Sequence, residues 1–136
     1  MSATTNFRKC IKRNNNILME GALGERLKRE YGLTFDEHVA MAKLIYDEKG
    51  AVALANLWNE YIDIARKYKL PFIATTPTRR ANYERVQCAD CPDSIIADNV
   101  NFLRNMQKNS GIEMYVGGLM GCKGRFPLCR NYASII

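Results

Sequence analysis

The stretch ILMEG, residues 17–21, decides the fold class of this 136-residue chain. Its apolar residues stop abruptly at a carboxylate and a glycine, a pattern typical of a buried strand whose C-terminal end opens into a loop. Two further apolar runs, FIAT at residues 72–75 and MYV at residues 114–116, are likewise followed by loops that contain threonine or glycine. We therefore expect three strands with polar or flexible loops at their C-terminal ends.

Segments with helical periodicity separate these strands. Residues 22–31 favour a helix that Gly32 ends, and a second helix is expected from near Thr34, with a break at Gly50. The clearest helix comes next and stops at Leu70-Pro71, because proline cannot continue a helix. The apolar stripe of this clearest helix is predicted to comprise Leu54, Trp58, Tyr61, Ala65 and Tyr68.

The segment before the third strand combines a loop and a helix. Residues 87–93 carry Cys, Asp and Pro and are predicted as a loop, after which Asp93 or Ser94 can cap a helix that Gly111 closes. The predicted face of that helix comprises Ile96, Val100, Leu103 and Gln107. Short apolar strands that alternate with amphipathic helices predict parallel βαβ units, so the expected fold class is α/β.

Composition limits the remaining classes of function. The chain is 47% hydrophobic and 25% charged, which is typical of one globular domain with a core. The net charge of +6 comes from dispersed basic residues mixed with acids, so we expect a solvated surface and no nucleic-acid partner. No apolar run approaches the roughly 18 residues that span a bilayer, and residues 1–13 lack the apolar core of a signal peptide. A cytoplasmic location without membrane contact is therefore expected.

Three motifs together resemble the homocysteine S-methyltransferase family. Residues 17–27, ILMEGALGERL, resemble that family's opening strand and loop, usually apolar-Asp-Gly-Ala-Met/Leu-Gly-Thr-x-Leu. The segment from Asn59 to Thr76 resembles its second helix and second strand, which ends in a Thr-Asn-Thr-type sequence. Residues 116–121, VGGLMG, resemble its third strand, usually apolar-Ala-Gly-Ser-Ile-Gly. The resemblance runs from about residue 16 to residue 124, roughly the first two-fifths of a family barrel.

The resemblance implies a fold, a chemistry and a set of site residues. The fold would be a partial (β/α)8 TIM-type barrel made of the first three βα units. In the family, a zinc ion binds the thiol of homocysteine and lowers its pKa, and the thiolate takes a methyl group to form methionine. The implied substrate-binding residues are Glu20, which stands where the family usually has Asp, Gly21 and Thr75; Pro77 replaces a family Thr. The resemblance does not identify the methyl donor.

The zinc ligands of the family do not carry over. They are three cysteines, one on a late strand and an adjacent pair near the C-terminus, and this chain has no Cys-Cys pair. We expect residues 1–16 to be a polar, weakly ordered leader, residues 17–124 a partial homocysteine-binding barrel, and residues 125–136 a divergent tail. A truncated or frame-shifted gene would explain this organisation. As it stands, the chain is expected to bind no zinc, to be inactive, and to self-associate through an exposed strand edge.

Two alternatives stay open. The chain could be a non-catalytic α/β binding or assembly module, or a small zinc module built on the CxxC at Cys88 and Cys91 with Cys122 and Cys129. Six residues separate the second pair, where a zinc ribbon usually has about two. The five cysteines, an odd number in a chain without a signal peptide, predict free thiols and no disulfide framework.

Overall fold

The computed structural model describes residues 3–123 as an α/β fold in which three short strands alternate with helices. The elements in chain order are α1 (Ala3–Arg13), β1 (Leu18–Met19), α2 (Leu23–Tyr31), a 3-10 helix (Met41–Tyr46), α3 (Glu48–Tyr68), β2 (Phe72–Thr75), α4 (Tyr83–Cys88), α5 (Ile95–Asn109) and β3 (Met114–Gly117). The three predicted strands are confirmed, and so is the α/β class. The predicted tail at residues 125–136 lies outside the described residues.

The strands form one parallel sheet in the order β1-β2-β3. Leu18 pairs with Phe72, and Phe72 pairs with Met114, so the strands start at the same level. Because all three run in the same direction, their C-terminal ends meet at one edge of the sheet. Open α/β sheets bind ligands at that edge.

One face of the sheet carries the core. Phe72 and Ala74 of β2 are buried under α3, and the Trp58 ring lies 6.4 Å from that of Phe72. The opposite face is more open, since Met19 of β1 is 54% exposed. A Cβ at Gly117 of β3 would lie 3.5 Å from Thr75 Cγ2 on this open face. Helix α3 therefore covers one face of the sheet. On the opposite face Phe7 of α1 packs against Tyr115 of β3, with ring centroids 5.0 Å apart, while Met19 stays exposed.

The predicted apolar stripes are partly correct. On α3, Leu54, Trp58 and Ala65 are buried as expected, whereas Tyr68 is 61% exposed and its assignment to the core is wrong. The core-facing side of α3 is completed by Ala53, Leu57 and Ile62.

On α5, Leu103 is buried as predicted, but the N-terminal half of the predicted stripe is shifted by one residue. Ile96 is 47% exposed, and the buried positions are Ile95, Asn99 and Leu103. Asn99 can occupy the buried face because its Nδ2 donates to the carbonyls of Ala42 and Ile95 at 2.9 and 2.8 Å. The amide nitrogen is therefore satisfied, whereas the buried Oδ1 of Asn99 has no hydrogen-bond partner among the described residues.

Three local predictions are wrong. Residues 3–13 form helix α1 and not a weakly ordered leader, anchored by Arg13, which donates to both carboxylate oxygens of Glu113 at 2.7 and 2.8 Å. The second helix from Thr34 is replaced by a loop and the 3-10 helix, because Asp36 accepts hydrogen bonds from the amides of His38 and Val39 and holds a turn. Within the expected loop at residues 87–93, Gln87 and Cys88 belong to α4.

Gly50 does not break a helix. It lies in the first turn of α3, where its amide donates to the side chain of Asp47 at 2.8 Å. A Cβ at Gly50 would lie 2.6 Å from the carbonyl oxygen of Leu44 in the 3-10 helix. The glycine therefore marks a close approach between two helical segments.

None of the helices within residues 3–123 is both long enough and apolar enough to cross a bilayer.

Candidate functional site

Glu20 and Thr75, which follow and end neighbouring strands, are brought together by the sheet. The Thr75 amide donates to Oε1 and Oε2 of Glu20 at 3.1 and 3.3 Å, and the Thr75 hydroxyl donates to Oε1. The two predicted site residues therefore form one hydrogen-bonded unit at the C-terminal edge of the sheet.

The hydrogen bonds from Thr75 hold the Glu20 carboxylate in place and leave some of its lone pairs free to accept further hydrogen bonds. A carboxylate has about four lone-pair sites, and Thr75 supplies one N–H and one O–H donor. Glu20 is half-buried and lines a cleft, so its remaining sites are accessible to a donor from a ligand. An ammonium group carries three such donors.

Gly21, the third predicted site residue, is exposed and lines the same cleft. A Cβ at this position would lie 3.6 Å from the hydroxyl of Tyr61, which is an ordinary contact distance. The protein itself therefore does not require glycine here. Any need for glycine would come from a ligand that approaches the backbone.

The cleft beside these residues has a volume of about 950 Å³. Its walls come from the loops after β1 and β2, helix α2, the segment that leads into the 3-10 helix, and Leu119 after β3. The apolar part of the wall comprises Leu23, Leu33, Phe35, Met41, Pro77 and Leu119. Such a mixture of apolar wall and a few polar groups is typical of small-molecule sites.

Charged side chains of both signs line this cleft. The acidic ones are Glu20, Glu25, Asp36 and Glu37, and the basic ones are Lys28, Arg79 and Arg80. Lys28 Nζ lies 5.2 Å from the centre of the Phe35 ring and 3.6 Å from Glu25 Oε1. The cleft therefore suits a ligand that carries positive and negative groups.

Asp36 holds a turn in the cleft wall. Burial raises its pKa, but the amides of Val39 and His38 and the ammonium of Lys43 outweigh burial and hold the pKa of Asp36 below its usual range. The turn ends at Ala40, whose φ of 51° is a strained conformation for an L-residue and costs roughly 1–3 kcal/mol.

The sequence did not single out a ring of hydrogen bonds that joins the loops after β2 and β3. The Leu119 amide donates to Thr76 Oγ1 at 3.0 Å, and Thr78 Oγ1 donates to the Leu119 carbonyl at 2.6 Å. The two hydroxyls lie 2.7 Å apart. Because the Thr78 hydroxyl uses its only proton to donate to the Leu119 carbonyl, the hydroxyl of Thr76 is the donor to Thr78 Oγ1. The closed ring fixes Leu119 at the cleft wall.

Metal binding gains no support from the described part of the chain. Within residues 3–123, no three His, Cys, Asp or Glu side chains are grouped so that they could hold a metal ion. Cys10, Cys91 and Cys122 are free thiols as predicted, whereas Cys88 is disulfide-bonded and the thiol prediction is wrong there. Cys129 lies outside the described residues. The expectation that the chain binds no zinc stays a prediction.

No protein-family model, curated protein sequence or solved structure matches this chain. The structure defines an α/β fold with a small parallel sheet and, at the C-terminal edge of that sheet, a cleft lined by apolar and charged side chains.

Proposed function

We propose that this chain is the N-terminal part of a homocysteine S-methyltransferase-type βα barrel, and that its cleft binds homocysteine or a related small aminothiol. The observation that carries the proposal is the Glu20–Thr75 unit at the C-terminal edge of the sheet. The motif resemblance assigns substrate binding to these same two residues, and the register of β1 and β2 gives a physical basis for their acting together. The first three βα units of a barrel would present this edge to the substrate.

The proposed role of Glu20 is to bind the ligand's ammonium group. The hydrogen bonds from Thr75 occupy only part of the acceptor capacity of the Glu20 carboxylate. The ligand's ammonium group can therefore form a charge-assisted hydrogen bond with Glu20, worth about 1.5–3 kcal/mol. A micromolar ligand requires about 8 kcal/mol. One such contact in an open cleft therefore supports binding in the millimolar range.

Methyl transfer needs a thiolate, and a free thiol has a pKa of roughly 8.5, so it is largely protonated at neutral pH. In the family, zinc supplies the thiolate. The described residues of this chain offer no group of side chains that fits zinc. We propose that residues 1–136 bind the thiol substrate without transferring a methyl group.

Glu20→Gln tests the proposal by removing the charge while keeping the shape of the side chain. We expect the dissociation constant for homocysteine, measured by ligand-observed NMR under reducing conditions, to rise about tenfold or more, because a charge-assisted bond is lost. Glu25→Gln is the matched control, since Glu25 also lines the cleft but is exposed and pairs with Lys28. Its effect should stay below twofold, roughly what an exposed ion pair contributes.

Equal effects of Glu20→Gln and Glu25→Gln would show that the site is wrong. Glu20→Asp adds a further comparison, because the family usually has Asp at this position. Tighter binding by Glu20→Asp would identify the additional methylene as a defect in substrate contact. If homocysteine does not bind the unaltered protein at millimolar concentrations, the chain is better described as a non-catalytic α/β module.

We also propose that the chain associates with itself through the open edge of its sheet. Within residues 3–123, β1 and β3 each pair with β2 alone, and exposed strand edges promote association. Sedimentation equilibrium should show a mass that rises with protein concentration, and Met19→Lys should weaken this association. Ile64→Lys is the control, since Ile64 is similarly exposed, 46% against 54%, but lies on α3. A monomer at all concentrations would contradict the proposal.

A further inference from the structure

Arg79 occupies a fixed point on the cleft wall. Its neighbour Thr78 donates to the Leu119 carbonyl, and the Ala81 amide donates to the Thr78 carbonyl at 2.9 Å. On the other side, Gly121 lies so close that a Cβ there would be 2.8 Å from the Arg79 carbonyl oxygen. The backbone at Arg79 is therefore held from both sides, while the side chain is exposed and lines the cleft.

We propose that Arg79 binds the carboxylate of the ligand, so that the cleft selects α-amino acids over simple amines. This inference rests on the proposed function, in which Glu20 binds the ammonium group. A carboxylate and a guanidinium on the walls of one cleft complement the two charges of an amino-acid zwitterion.

The chemistry of arginine supports this role. A guanidinium presents a planar fork of donors that matches a carboxylate with two parallel hydrogen bonds. A held backbone also lowers the conformational entropy that the loop loses when a ligand binds. Arg80 lines the cleft too, but it is half-buried and already has an interaction of its own.

Leu119 offers an apolar surface for the side chain of the bound amino acid. It is 39% exposed at the cleft wall and is fixed by its hydrogen bonds to Thr76 and Thr78. With ammonium and carboxylate bound at Glu20 and Arg79, the remaining substituent of the amino acid can contact this apolar surface. A short thiol-bearing or thioether side chain fits such a surface better than a charged one.

The test compares two ligands and four proteins. The ligands are homocysteine and the same aminothiol without its carboxylate, and the proteins are the unaltered chain, Arg79→Gln, Arg80→Gln and Arg104→Gln. Arg104 is an exposed residue of α5 outside the cleft. We expect the unaltered chain to bind homocysteine about tenfold more tightly than the decarboxylated ligand. Arg79→Gln should abolish this preference without weakening the binding of the decarboxylated ligand, which has no carboxylate for Arg79 to bind.

Arg80→Gln and Arg104→Gln should both keep the tenfold preference. If Arg79→Gln also keeps it, Arg79 does not bind the carboxylate and the inference is overturned while the proposed function stands. If the unaltered chain binds neither ligand, the proposed function fails and this inference fails with it. If it binds both equally, ammonium binding is retained but selection for amino acids is refuted.

Discussion

Gly50→Ala is expected to lower the free energy of unfolding by about 2 kcal/mol or more. The new Cβ would lie 2.6 Å from the Leu44 carbonyl oxygen, a distance that real Cβ atoms essentially never show, and 3.1 Å from the Leu44 Cα, which is a tight contact. Leu44 is buried, and its carbonyl accepts from the Asp47 amide, so its backbone cannot move freely. Alanine is the better helix former by about 1 kcal/mol, but the backbone clash outweighs this gain.

Gly24→Ala is the matched control for Gly50→Ala, because Gly24 also lies inside a helix. There the new Cβ would meet the Met41 sulfur at 3.3 Å, the flexible part of an adaptable side chain. The helix-propensity gain should then dominate, and unfolding by urea should give a stability unchanged or up to about 1 kcal/mol higher. Equal losses at the two positions would contradict the close approach assigned to Gly50.

Thr76→Val is the second large expected effect, a loss of about 2 kcal/mol in unfolding free energy. Valine fills nearly the same space but removes the hydroxyl that accepts from the Leu119 amide and donates to Thr78. Because Thr76 is 1% exposed, water cannot readily replace the missing group. Thr34→Val is the control, since Thr34 is exposed and the same substitution there should change stability by less than about 0.5 kcal/mol.

The ring also predicts how substitutions combine. Thr78→Val breaks the same closed set of bonds, so Thr76→Val and Thr78→Val together should cost less than the sum of the two single losses. Strict additivity would mean that the two hydroxyls act independently and would contradict the closed ring of hydrogen bonds.

The strands and their loops could be predicted because each signal is local. An apolar run that ends at Glu20 or at Thr75 needs no information from distant residues to be identified as a strand end. Parallel βαβ topology then brings those ends to one edge, so the closeness of Glu20 and Thr75 could be predicted before any coordinates. The C-cap at Gly32, whose φ is 61°, is a local signal of the same kind.

Other features depend on contacts that a sequence pattern does not contain. The burial of Asn99 needs the Ala42 carbonyl as its partner, 57 positions away in the chain. The need for glycine at position 50 comes from the backbone of Leu44 and not from the helix in which it lies. Likewise, the sequence around Thr76 and Thr78 predicts only a polar turn at the end of a strand. Their hydrogen bonds depend on the amide and carbonyl of Leu119, which lies in the loop after β3.

The central claim is that an aminothiol binds at the Glu20 carboxylate, and the Thr75 amide is its most direct reporter, because that N–H donates to both oxygens of Glu20. The measurement is a homocysteine titration followed in proton–nitrogen correlation spectra of the labelled protein. We predict a saturable shift of the Thr75 and Gly21 signals in the millimolar range, with no shift at Gly111, which is not among the residues that line the cleft. Unchanged Thr75 and Gly21 signals, or saturable shifts confined to other regions, would contradict the account.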